Sequence, residues 1–319
     1  RSISSLVEQT ASWAKLGYGM GEAEELAKLS SIYANVAEIG DEQAVSDMVT
    51  ALRGFSQETS EAVHIVDSLN ALSNNFAVTA GDLGTGLSNA ASAMHAAGTD
   101  MNKTLAMLTG GSEITQSANE FGNFMRTSVM RIRGMKGELE ELGEEVDESV
   151  DSISKVQTQI LNLTSGEVNI FDEYGEFRDY YDIMLEISEV VDDLTSTDRA
   201  SLYEILFGKM RGNQGAALIE AFKSGQIQEA YKTALNSAGS AAEEQARWLE
   251  SLEAKTQQFN AAWQDLSATV LNSNFLKGLV DFGTSFLETL TDIIDLFGAF
   301  PALTTAVATA LSFKNVGEL

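Results

Sequence analysis

The chain has 319 residues, 47 acids against 20 bases for a net charge of -27, one proline and no cysteine. The cysteine count excludes a disulfide framework, a zinc ribbon and a thiol nucleophile, and the acidity excludes the phosphate-neutralising surface on which nucleic-acid binding rests. Hydrophobic residues at 44% and charged residues at 21% are ordinary globular usage, and one proline with few strand-like runs predicts an all-α fold.

Glycine punctuates the chain. Ile3, Leu6, Val7, Trp13 and Leu16 keep helical spacing up to Gly17-Tyr18-Gly19. A helix over 22–39 is expected to end at Gly40 as a left-handed C-terminal glycine, with Asp41 as the next N-cap. Val45, Met48, Val49, Leu52 and Phe55 mark a third helix, and Val63, Val66 and Leu69 define one face of a helix over 59–72. Thr79 with Asp82 reads as a capping box opening a helix that closes at Ala97 and Gly98. A short helix over 101–108 is expected to stop at Gly110-Gly111. The next, over 115–133, collects Arg126, Arg131 and Arg133 near its C-terminus, where cations suit the dipole.

Composition then shifts. Residues 126–136 hold four bases and no acid, whereas 137–156 hold eight acids and one base, so the first domain boundary is expected there. Leu139, Leu142, Val146, Val150, Ile153, Val156, Ile160 and Leu163 keep helical spacing and predict one exposed acidic helix. Val168 and Ile170 alternate with polar neighbours ahead of a turn at Gly175, so a small hairpin over 168–177 is expected. Helices follow over 178–194, 197–208, 213–224 and 226–237. Ser240 with Glu243 reads as a second capping box, opening a long helix that reaches Leu271. Leu252, Phe259 and Leu266 recur every seven residues as a weak coiled-coil seam, and Leu279, Phe286 and Ile293 extend the apolar contact surface beyond Phe275. The expected division is 1–136, 137–164, 165–239, 240–274 and 275–319. The opening on Arg1, without a leader, reads as a piece of a longer protein.

Little in the chain points to catalysis. His64 and His95 lie on separate predicted helices and read as structural or surface residues. No metalloprotease, nucleophile-elbow, phosphate-loop or EF-hand pattern occurs. Glu140/Glu141 and Glu144/Glu145 read as a solvated helix face, and the Arg126, Arg131, Arg133 and Lys136 group as an intramolecular partner of the acidic stretch that follows. No catalytic residue, cofactor or metal site is assigned. One segment, 296–313, is 18 residues without a charge, with Leu296, Phe297, Phe300, Leu303, Val307, Leu311 and Phe313 as its apolar body and a kink at Pro301. It reads either as a buried helix or as a membrane-active one.

Several stretches in order resemble the tail tape measure proteins of long-tailed bacteriophages and their prophages. They are 79–114, with its small-residue helix and TLAML helix; 121–134 (FGNFMRTSVMRIRG); 174–187 (YGEFRDYYDIMLEI); 207–222 (FGKMRGNQGAALIEAF); and 236–266, with its GSA cap. The opening Leu16-Gly17-Tyr18-Gly19-Met20 with Glu24-Glu25-Leu26 is similar too, while Phe207-Gly208-Lys209 departs from the family's usual turn. The resemblance implies a non-enzymatic structural protein that lies in the tail tube lumen, templates tail length and assists genome ejection. It further implies a homo-oligomer (trimer or hexamer), with the tail tube protein, tail assembly chaperones and baseplate or distal tail proteins as partners. Assembly would occur in the host cytoplasm, the virion tail would be the resting place, and the host envelope would be met on infection, with no direct nucleic-acid contact. A secreted all-α pore-forming or effector protein is the rival class.

Overall fold

The computed structural model describes residues 3–144, 146, 150–250, 257 and 261. Among these the chain is all-α: fourteen α-helices, no strand and no sheet. It divides into two compact units, one holding the residues up to Ser31 together with the described ones from Glu244 onward and the other spanning Ile32–Glu243.

In the first unit, α1 (Ile3–Lys15) and the start of α2 (Met20–Val36) bury Trp13 completely. Burial of an indole N–H requires an acceptor. Trp13 Nε1 donates to Ser30 Oγ at 3.2 Å, Ser30 Oγ donates to Gln9 Oε1 at 2.6 Å, and Gln9 Nε2 donates to Ser31 Oγ at 2.9 Å. The polar chain is thus satisfied link by link.

The second unit continues with α3 (Asp41–Gly54), a 3₁₀ turn (Thr59–Glu61), α4 (Ala62–Asn75), α5 (Ala80–Ala96), α6 (Met101–Thr115) and α7 (Ala118–Ile132). Then come α8 (Lys136–Glu141), α9 (Ile153–Leu163), α10 (Tyr180–Val190), α11 (Ser196–Phe207), α12 (Gly212–Lys223) and α13 (Gln226–Leu235), and α14 (Ser240–Glu250) starts at its end. Thr79, Asp100, Ser117, Ser152 and Thr195 each accept the backbone N–H three residues on, which satisfies an orphan donor of the first turn. Helix α5 packs on α3, α4, α6 and α7, while α6 also carries α12 and α13. At the α5–α7 crossing a Cβ on Gly122 would stand 2.2 Å from the Gly86 carbonyl oxygen, so only glycine permits that approach. Phe121, Phe124 and Phe207 are fully buried beside it, with ring centroids 5.0 and 5.4 Å apart.

Five expectations are corrected. Gly40 is not a left-handed terminator: it is the extended N-cap of α3 (φ -70°, ψ 153°), and Glu38 takes the left-handed conformation (φ 55°) instead. Helix α6 does not stop at Gly110-Gly111 but runs through both, because packing asks for small residues there. A Cβ on Gly111 would stand 1.9 Å from Phe121 Cζ, and one on Gly110 would stand 2.7 Å from Ile227 Cγ1. The expected single exposed helix over 138–163 is two helices separated by Gly143 (φ 74°), with Leu139, Val150, Val156 and Ile160 buried. The expected hairpin is a single antiparallel bridge between Phe171 and Phe177. Its ladder ends there because the Ile170 N–H is taken by Gln157 Oε1 at 3.1 Å. On α4, Val66 and Leu69 are buried as expected, but Val63 is 49% exposed and Ile65 takes its place inside.

Candidate interaction surfaces

Among the described residues of the second unit, four polar clusters join helices far apart in sequence. In the first, Asp47 on α3 is almost fully buried, with Ser88 Oγ donating to its Oδ1 at 3.3 Å. The Tyr33 hydroxyl stands 3.3 Å from Asp47 Oδ2 and 3.1 Å from the Ala80 carbonyl. Gly84 makes the room: a Cβ there would lie 2.1 Å from the Tyr33 oxygen. Burial pushes the Asp47 carboxyl up to about 6, against the pull of its hydrogen bonds from Tyr33, Ser88 and Gln43. Burial likewise raises the Tyr33 phenol, and the Asp47 charge adds to that effect.

The second cluster ties α4 to the chain around α14. Asp67 accepts from Gly239 N at 2.8 Å and from Ala241 N at 3.0 Å, so it caps α14 from another helix. Ser68 Oγ donates to the Ala234 carbonyl at 3.3 Å and lies 3.1 Å from Ser237 Oγ. Asn70 Nδ2 donates to Ser240 Oγ at 2.8 Å. Ser240, expected to cap α14 with its own side chain, is engaged by Asn70 instead.

The third closes α11. Arg131 on α7, 3% exposed, donates to the Ile205 and Glu204 carbonyls at 3.1 Å each, and Ser128 Oγ donates to the Leu206 carbonyl at 3.0 Å. Tyr180 Oη in turn donates to Ser128 at 2.8 Å. The last-turn carbonyls of α11, orphaned by the geometry of any helix, are met by a cation from α7. In the fourth, Lys103 Nζ donates to Asp179 Oδ2 at 2.6 Å and Asp182 Oδ1 at 3.0 Å, pinning the start of α10. Burial pulls the Lys103 pKa down, but these two carboxylates hold it above the ordinary lysine value.

The residues singled out from the sequence fare differently. His64 Nε2 lies 3.0 Å from Asn102 Oδ1, and the His95 ring packs edge-on to Phe55 at 6.1 Å, so the two histidines serve separate contacts. Of the basic group, Lys136 does pair with the acidic stretch, at 2.7 Å from Asp151. Arg131 caps α11 instead, and Arg133 lies over the Phe177 ring at 4.7 Å. Glu144 is held by Arg211, whose Nε donates to Oε1 at 3.0 Å, while Glu140 and Glu141 are exposed. The seam residues Leu252, Phe259, Leu266, Leu279, Phe286 and Ile293 lie outside the described residues. So do Leu296, Phe297, Phe300, Pro301, Leu303, Val307, Leu311 and Phe313. Among the described residues no group of side chains is placed to hold a metal ion, and no helix is long and apolar enough to cross a membrane.

The most exposed large apolar side chain among the described residues is Tyr174, 81% accessible, at the tip of the loop joining α9 to α10. That loop is braced by its own side chains. Asp172 Oδ1 accepts from Tyr174 N and Glu176 N at 2.9 Å each, the Asp172 N–H donates to the Glu176 carbonyl at 2.9 Å, and Gly175 turns the chain at φ 82°. Beneath the tip, the Phe171 and Phe177 rings pack 4.8 Å apart. The sequence signal for this feature was the Asp-x-Tyr-Gly turn itself, which periodicity alone registers only as a strand break.

Comparison with known families places the chain. The family described as phage-related minor tail protein matches residues 1–208. The chain belongs to that family. Phage-related minor tail proteins are components of the virion tail and associate there with other tail components. No solved structure matches the chain. The matched residues take in α1 to α11, and hence the Asp47 cluster, the Tyr174 loop and all of α11 that Arg131 caps.

Proposed function

We propose that this minor tail protein is a tape measure: a non-enzymatic chain, present in a few copies in the tail tube lumen, whose length sets tail length. The observation that carries the reading is the tail-family match over 1–208, joined to the ordered resemblance of the stretches from 79 to 266. The all-α fold supports it, since an α-helix converts residue number into length at about 1.5 Å per residue. The seam through Leu252, Phe259, Leu266, Leu279, Phe286 and Ile293 would hold copies together as a trimer or hexamer. The tube protein, tail assembly chaperones and distal tail proteins are the proposed neighbours.

The direct test is tail length. In-frame duplication of a helical stretch is expected to lengthen tails by up to roughly 1.5 Å per added residue in electron micrographs; tails of unchanged length would refute the reading. Assistance to genome ejection at the host envelope would rest on 296–313, the charge-free segment. Liposome leakage by the intact chain, lost on truncation after Asp295, is expected. Equal leakage from both forms would remove that role.

A further inference from the structure

We propose that the loop centred on Tyr174 is a docking finger, and that its ring inserts into an apolar socket with a basic rim on another protein of the same tail. Tyr174 is 81% exposed, whereas the other aromatic rings of the loop, Phe171 and Phe177, are half-buried and packed on each other beneath it. The tip is pre-shaped. The Asp172 carboxylate fixes two backbone N–H groups, Arg178 N donates to the Ile170 carbonyl at 3.0 Å, and Asn169 Oδ1 takes both Phe171 N and Gln157 Nε2. A loop already held in one shape loses little entropy on binding. Tyrosine gives a large contact area for two side-chain torsions and is over-represented among residues that dominate interface energy.

Charge selects the occupant. Asp172, Glu173 and Glu176 flank Tyr174 along the loop and are all exposed. Such a tip is repelled by nucleic-acid phosphates and by anionic headgroups. A second copy of a chain with net charge -27 is also disfavoured. A protein surface whose lysines or arginines ring an apolar pocket matches both the carboxylates and the phenol. The partner's class follows from membership of the tail family, and the proposal does not depend on the tape-measure reading.

The test uses the full chain and three variants: Tyr174→Ala, Tyr174→Phe, and the pair Glu173→Lys with Glu176→Lys. Each is titrated against the other tail proteins of the same phage, purified singly, and against anionic vesicles and duplex DNA. Because the side chain is so exposed, Tyr174→Ala is expected to melt with the wild type. Expected is one tail protein that binds the wild type, loses about 30-fold or more in affinity with Tyr174→Ala, largely keeps it with Tyr174→Phe, and loses it at low salt with the charge-reversed pair. The proposal is overturned if no tail protein distinguishes Tyr174→Ala from wild type. It is equally overturned if Tyr174→Ala alters only vesicle binding, DNA binding or self-association. A failed tail-length experiment would leave each of these outcomes readable.

Discussion

At Asp47 the fold holds a carboxylate among helices α2, α3 and α5, with hydrogen bonds near the long end of the useful range. Because burial raises its folded-state pKa to about 6, the native state binds a proton there more readily than the unfolded chain does. The stability this confers is complete below about pH 4 and is lost as pH rises through about 6, where the carboxyl must ionise in place. Asp47→Asn keeps the shape and one acceptor oxygen while abolishing the charge; its amide N–H can donate to the Tyr33 hydroxyl, which keeps the Ala80 carbonyl as its own acceptor. It is expected to stabilise the fold by about 1–2 kcal/mol at pH 7.5 and by little at pH 4. Chemical denaturation of both proteins at the two pH values checks this, and a constant difference between them would contradict it. The sequence offered a faint sign of this site, an acid between Val45 and Met48 on an otherwise apolar face. The partners that define it, Tyr33 and Ser88, come from other helices and leave no local trace.

A cap in the first turn makes a helix start legible at Thr79 with Asp82, although Ser152 opens α9 in the middle of the single helix expected over 138–163. Thr79, Ser117, Ser152 and Thr195 mark true starts, because capping is a local interaction. Where a tertiary neighbour makes the decision, local signals mislead. Gly110-Gly111 reads as a stop but is a groove for Phe121 and Ile227, and Ser240 reads as a cap although Asp67 performs that task. Removing the carboxylate should therefore release one helix start and leave the rest in place. In Asp67→Ala, hydrogen exchange at the Gly239 and Ala241 amides is expected to quicken by at least about tenfold, a loss of roughly 1.4 kcal/mol in protection. Amides of α6 should keep their wild-type rates. Uniform acceleration through the unit would mean that Asp67 supports the whole fold instead.

Across the whole molecule the charge of -27 sets the terms of association. Contacts between copies must come from apolar seams against mutual repulsion, so self-association is expected to strengthen as salt screens the carboxylates. Sedimentation across a salt series, with Leu266→Glu as the disrupting variant, reads this directly. A monomer at every salt concentration, unaltered by Leu266→Glu, would dispose of the seam. The fold class followed from proline and strand statistics, and the tail family from motif order. The clusters around Asp47, Asp67 and Arg131 were hidden because they join helices far apart in sequence. That separation has a mechanical side. Gly239 is fastened to Asp67 across 172 positions of chain, so the intervening helices form a loop closed by a non-covalent clasp. Tension passed along the backbone from either side is shared by the clasp, by the Ser68 and Asn70 bonds beside it and by the packing of α3 on α5. When the clasp parts, that length becomes available to extend, up to roughly 600 Å at about 3.4 Å per residue. A protein drawn lengthwise would thus yield at this set of fastenings before its helices unwind.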